Sequence, residues 1–252
     1  MSLDKLRKNW EQFGRDDPYW AILTDPTKRG QKWDIEAFYR SGQQEIGHLM
    51  HYLEQHTIPV AKENALDFGC GAGRLTQALA DYFQQVTGVD IAESMIRLSR
   101  KRNPRPDRVS FLHNTDPDLR QLSDESMDLV YSNITLQHIP PALIRNYLKE
   151  FMRVLRHEGL LVFQLPAGIR DRDPNGRWSW QGWLARWVYR LRLDGLYRRL
   201  RYFKQPIMNM HWLPRKEVEQ LVKKAGGEIL AVRPDQSAGP LFESYRYYVK
   251  KV

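Results

Sequence analysis

The stretch Ala65-Leu66-Asp67-Phe68-Gly69-Cys70-Gly71-Ala72-Gly73-Arg74 decides the fold. A short apolar segment of strand character runs into three glycines at alternate positions, and a helical pattern starts at Arg74. Glycines at 69, 71 and 73 let the backbone turn tightly and approach a ligand closely. The free N–H groups at the start of the following helix attract an anion. Such a turn stands at the carboxyl end of a strand, where open α/β sheets take nucleoside ligands.

Outward from this turn, the pattern predicts strands over 65–68, 85–89, 109–112, 127–132 and 159–165. Helices are predicted over 74–83, 92–102 and 141–155. Short apolar strands alternating with amphipathic helices mark a doubly wound α/β fold, a mostly parallel sheet covered on both faces. A helix over 215–225 and strands over 228–232 and 244–250 follow. Pro234, Gly239 and Pro240 separate these last two strands, which predicts an antiparallel hairpin at the sheet edge. Upstream, Asp34 can cap a helix whose apolar residues run from Ile35 and Phe38 through Ile46 and Leu49 to Leu53, with a break at Pro59. The residues before Asp34, with Pro18, Pro26 and Gly30, read as an irregular arm rich in Trp and Tyr.

Spacing separates the nucleoside classes. A dinucleotide fingerprint G-x-G-x-x-G starting at Gly69 requires glycine at position 74, where the chain has Arg74. Asp90, ending Val86-Thr87-Gly88-Val89-Asp90, can accept hydrogen bonds from both hydroxyls of a ribose, a feature common to NAD and to adenosyl ligands. The glycine pattern with Gly88-Val89-Asp90, Phe111-Leu112-His113-Asn114, Asp128-Leu129-Val130-Tyr131-Ser132-Asn133 and Leu136-Gln137-His138-Ile139 resembles the class I S-adenosylmethionine-dependent methyltransferases.

The resemblance covers about residues 60 to 165, and more weakly 212 to 250. It implies a seven-stranded, Rossmann-like sheet with an N-terminal arm and cover helix over 1–59. The methyltransferase domain would occupy 60–252 and include a lid insertion at 168–211. It also implies roles for individual residues. Asp67 and the turn of Gly69, Gly71 and Gly73 would hold the methionine part of S-adenosyl-L-methionine, and Asp90 its ribose diol. Ile91 and Met95 would pack on the adenine, Asn114 would bond its edge, and Asn133 would lie close to the transferable methyl. Trp33, with Phe38 and Tyr39, is expected near the methionine end.

Methyl transfer is an in-line displacement, so holding the nucleophile collinear with the methyl and excluding water are the main tasks. A base is needed only if the acceptor must lose a proton. His138 and His211 are the candidates for base or substrate contact, because a neutral imidazole accepts a proton near pH 7. Helix capping is the alternative role for His138. His48 and His51 share a helix face without an evident third ligand, so no metal site is expected.

Composition narrows the class further. The chain has 252 residues, 42% hydrophobic and 27% charged, enough for one sizeable core. Its longest apolar run, Gly159 to Phe163, is far short of the roughly 20 residues of a membrane span. Met1 to Gln12 alternates charge with single hydrophobes, unlike a secretory leader. Cys70, the sole cysteine, allows no internal disulfide and fits a reducing compartment, so a cytoplasmic location is expected.

The net charge is +9, and the segment from Arg170 to Lys204 holds ten basic and three acidic residues with four of the eight tryptophans. Trp180, Trp183, Leu184, Trp187, Val188 and Leu191 recur at helical spacing, giving a basic amphipathic helix. Three uses fit it: a lid packed on the core, a surface for an anionic or amphiphilic acceptor or a membrane face, or an RNA contact. Ser132-Asn133-Ile134-Thr135 stands where amino-methylating enzymes of nucleic-acid bases carry Asn/Asp-Pro-Pro-Tyr. The reading as a whole is methyl transfer to a small or amphiphilic acceptor, with an oxygen nucleophile favoured. RNA methylation and cofactor binding without catalysis are the alternatives. The sequence does not specify an oligomeric state.

Overall fold

The structure, a computed structural model, describes residues 2–170 and 208–252. The predicted basic helix over 180–191 and most of the lid insertion at 168–211 lie outside the described residues.

Seven strands form one sheet: β1 (Asn64–Phe68), β2 (Gln85–Asp90), β3 (Val109–His113), β4 (Met127–Ser132), β5 (Leu155–Ile169), β6 (Gly227–Asp235) and β7 (Phe242–Lys251). Their spatial order is β3-β2-β1-β4-β5-β7-β6. The first five run parallel, whereas β7 pairs antiparallel with both β5 and β6. This is the Rossmann-like sheet the resemblance implies. The terminal hairpin adds two antiparallel strands, with β6 at the edge.

The predicted helices stand as α3 (Ile35–Gln55), α4 (Arg74–Leu79), α5 (Glu93–Lys101), α6 (Pro141–Val154) and α7 (Arg215–Lys224). Asp34 caps α3 as expected, its carboxylate accepting from the Ala37 N–H at 2.7 Å.

Strand parity divides the core between the two faces. Leu66, Phe68, Val130, Leu161 and Phe163 pack with α6 and α7 on one face. Ala65, Leu129, Tyr131, Leu160 and Val162 pack with α3 and α4 on the other.

The N-terminal arm is not irregular. Residues 3–16 form helix α1 (Leu3–Asp16), and Pro18 opens a second helix, α2 (Pro18–Ile22). Leu3, Leu6, Trp10 and Phe13 recur every three or four residues, so the apparent alternation of charge with single hydrophobes is a helical stripe. Leu6 and Phe13 are buried. The Ser2 hydroxyl accepts from the Lys5 N–H as an N-cap. Proline at the first helical position costs no hydrogen bond, so Pro18 starts a helix here and does not break one. The Ser94 N–H donates to the Glu11 carboxylate at 3.0 Å, and the Ser94 hydroxyl donates to the Glu11 carbonyl at 3.2 Å. These bonds fasten α1 to the start of α5. Among the described residues no helix is long and apolar enough to cross a membrane.

Candidate active site

The sheet order reverses between β1 and its two parallel neighbours, β2 and β4. Crossovers leave on opposite sides there, which opens a crevice at the carboxyl ends of these strands. The crevice is a cavity of about 480 Å³, within the range of small-molecule sites. The glycine turn and the end of β2 form one wall, and residues Asn133 to Ile139 the opposite one. Leu6, Trp10 and Ile22 to Thr24 close it from the N-terminal side.

Gly69, Gly71 and Gly73 have φ of +78°, +52° and +83°, a left-handed backbone that side chains resist. A Cβ on Gly71 would lie 2.6 Å from the Ile22 methyl, so the N-terminal segment lies directly on the turn. Asp90 clamps the turn to β2. One carboxylate oxygen accepts from the Gly71 N–H at 2.9 Å and the other from the Ala92 N–H at 2.8 Å. Burial pushes the Asp90 carboxyl above its ordinary range, opposed by the N–H groups of Ala92, Gly71 and Ile91. A carboxylate offers about four lone-pair sites, so capacity for further donors remains.

Of the residues predicted for the site, Gly69, Gly71, Asp90, Ile91, Met95, Asn114, Asn133 and His138 line the cavity. Asp67, Gly73, Trp33 and His211 are not among its lining residues. Asp67 shares the α4 face of β1 with Ala65, where it accepts a hydrogen bond from the Thr76 hydroxyl at 2.7 Å. Burial raises its pKa to about 7. It braces the turn from beneath.

Gly73 sits behind the turn, against Phe111. The Trp33 indole N–H donates to the Leu23 carbonyl, and its ring meets the edge of the fully buried Phe38. Tyr39 does reach the turn, its hydroxyl donating to the Ala72 carbonyl at 2.9 Å. The His211 backbone N–H donates to the Gln137 carbonyl, tying the returning chain to the cavity wall.

Two lining residues have other work than expected. The Asn114 amide donates to the Asp116 and Asp118 carbonyls, and its oxygen accepts from the Asp116 N–H. Its side chain therefore builds the loop after β3, using its amide hydrogens there and one of the two lone pairs of its oxygen. The Asn133 amide donates to Glu45 at 2.6 Å and accepts from Arg246 at 3.3 Å.

His138 stands against the edge of Trp10, with ring centroids 5.2 Å apart, and Nδ1 meets the Asn209 carbonyl at 2.8 Å. Burial lowers its pKa to about 4, partly offset by the Asn209 carbonyl and reinforced by nearby His211. The ring is neutral at physiological pH. Cys70 is buried within the turn, and burial pushes its thiol well up, the environment of a filler rather than a nucleophile.

Glu45 and Arg74 are charged cavity residues to which the sequence reading gave no role in the site. The Glu45 carboxylate accepts from Arg74 at 2.8 Å, from the Tyr131 hydroxyl at 2.8 Å and from Asn133. Glu45 lies one residue before Ile46 and seven after Phe38, within the buried stripe of α3. A charge at such a position signals a buried partner.

A family profile described as a methyltransferase domain matches residues 66–163. The malonyl-[acyl-carrier protein] O-methyltransferase of Bacillus cytotoxicus is 31% identical over 118 residues, which is 46% of this chain and 40% of that protein. Phosphoethanolamine N-methyltransferase 3 of Arabidopsis thaliana is 32% identical over 108 residues, 42% of this chain and 22% of that one. The chain thus spans less than half the length of these two curated relatives. The crystal structure of magnesium protoporphyrin IX methyltransferase from Synechocystis, with bound SAH, aligns over 99% of both chains with a TM-score of 0.63 at 18% identity.

Proposed function

We propose that the chain, whose residues 66–163 match a methyltransferase domain, is a class I S-adenosylmethionine-dependent methyltransferase and transfers a methyl group to a small or amphiphilic acceptor, with a hydroxyl oxygen favoured. The observation that carries this reading is the convergence of the left-handed glycine turn, the Asp90 carboxylate and His138 on one cavity.

The residues present fit the cofactor. The N–H groups of Gly69, Cys70, Gly71 and Gly73 are bonded to Val89, Asp90 and Cys70, so the amino-acid tail would lie on the close-approaching glycine backbone without relying on them, and Asp90 suits a ribose diol. Ile91 and Met95 offer apolar contact to a base. Asn133 is held by Glu45 and Arg246 at the end of β4, beside the turn. When bound, the cofactor would supply an electrophilic methyl on a sulfonium to the acceptor oxygen. The hydroxyl proton then passes to Nε2 of His138. A base with a pKa of about 4 is strong enough only for a proton made acidic by methylation, so His138 accepts late and does not ionise the acceptor beforehand.

Leu3, Leu6, Trp10, Ile139, Met208 and Met210 contribute apolar surface to the cavity, which supports an acceptor with an apolar body. The named relatives are an O- and an N-methyltransferase, which supports the reaction class without selecting the atom. The test is calorimetric titration with S-adenosylmethionine, followed by a methyl-release screen over hydroxyl, amine, carboxylate and RNA acceptors. The reading predicts saturable binding and turnover on a hydroxyl acceptor. Binding without turnover on any class supports a cofactor-binding protein, and turnover on RNA alone overturns the small-acceptor reading.

A further inference from the structure

Behind His138 runs a line of buried polar side chains that methyl transfer itself does not require. Ser244, Gln164 and Gln137 are 1%, 1% and 5% exposed, and His138 is 8% exposed. Their hydrogen bonds have a direction, because the groups at both ends can act in only one way. At one end the Ile134 N–H, which can only donate, meets Gln164 Oε1 at 3.2 Å. The Gln164 amide nitrogen therefore donates, to Ser244 Oγ at 2.7 Å and to Gln137 Oε1 at 3.2 Å. This fixes the Gln137 amide too, so that its nitrogen faces Nε2 of His138 at 3.3 Å. At the other end the Asn209 carbonyl, which can only accept, meets Nδ1 at 2.8 Å. Both ends demand the same imidazole: proton on Nδ1, lone pair on Nε2.

We infer that Gln164 and Gln137 are positioning residues that hold His138 in this tautomer, so that Nε2 is presented as a hydrogen-bond acceptor to an acceptor substrate bearing a donor hydrogen. The inference rests on the proposed methyl-transfer reading for its use, but not for its measurement. A long Nε2 contact to one amide is one that a substrate hydroxyl can replace. The relay thus favours a hydroxyl over a carboxylate, which has no hydrogen to offer at neutral pH. The free imidazole in water prefers its proton on Nε2, so the arrangement has to be enforced by its neighbours. Nearby His211 is the titratable group that acts on His138, and Trp10 packs against the ring in an edge contact.

The test is ¹⁵N imidazole NMR of the full chain, free of cofactor, with His138 assigned by comparison with His138→Gln. The inference predicts a protonated Nδ1 and an unprotonated Nε2 in the wild type at pH 7. Gln137→Glu replaces the facing amide by a group that can only accept, and should raise the protonated fraction of His138 at pH 6 at least tenfold. Gln164→Met keeps the volume, releases the Gln137 amide and should shift the same signals in the same direction by a smaller amount. Gln137→Leu, which removes the donor facing Nε2, should let part of the population carry its proton on Nε2. Circular dichroism and the titration with S-adenosylmethionine show whether each variant is folded.

An Nε2–H tautomer in the wild type overturns the inference. So do unchanged His138 signals in folded Gln137→Glu and Gln164→Met. A wild type that binds no cofactor but shows the Nδ1–H tautomer defeats the methyl-transfer reading alone.

Discussion

Replacing Asp90 by alanine removes a side chain that joins the glycine turn to the end of β2. Two N–H groups, of Gly71 and Ala92, lose a charged acceptor at 2.9 and 2.8 Å. In the proposed complex the ribose diol loses the same carboxylate. A hydrogen bond to a charged group is worth about 1.5–3 kcal/mol. Were the loss of one such bond to fall on the complex, binding of S-adenosylmethionine would weaken by about 10- to 150-fold. Asp90→Asn keeps one oxygen, enough for one of the two backbone donors, and should lose less. Isothermal titration calorimetry of wild type and both variants measures this, with circular dichroism as the control for folding. Affinity unchanged within about twofold in folded Asp90→Ala would refute the assignment of the ribose to this carboxylate.

Other variants probe the supports of the cavity. Glu45→Ala leaves Arg74, 3% exposed, without its buried partner. It should cost about 3 kcal/mol in urea unfolding, near the lower bound for broken buried pairs because Glu45 is itself 19% exposed. Asp67, raised by burial from 3.8 to about 7, keeps its proton in the folded chain over a range where the unfolded chain loses it. Its contribution to stability therefore falls as pH rises from about 4 to about 7, and Asp67→Asn should flatten that slope in urea midpoints taken at pH 5 and pH 8. Gly73→Ala forces a side chain to φ +83° and places a Cβ 2.8 Å from Phe111. A loss of at least about 1–2 kcal/mol of stability is expected from thermal unfolding.

The parts of the fold legible in the sequence are those written by short-range pattern. β1, its glycine turn and α4 follow from strand periodicity meeting three glycines, and Asp90 from its place at the end of the next strand. The helix α1 was hidden because its charged residues interrupt every hydrophobe, and the stripe shows only when Leu3, Leu6, Trp10 and Phe13 are plotted at helical spacing. Asp67 stands off the cavity lining for a reason the sequence does contain. Parity with Ala65 turns it toward α4, away from the cavity that Phe68 and Gly69 line. Asn114 and Glu45 were not legible, because their roles depend on groups brought together by the fold. Asn114 closes a loop through Asp116 and Asp118. Glu45 gathers Arg74 from α4 with Tyr131 and Asn133 from the end of β4.

A crystal structure of the chain with S-adenosylhomocysteine tests the central claim most directly. The account predicts the ribose hydroxyls on the Asp90 carboxylate, the amino-acid tail on the turn from Gly69 to Gly73, and the base against Ile91 and Met95. A nucleoside bound away from the carboxyl ends of β1 and β2, or no bound nucleoside at millimolar supply, would contradict it.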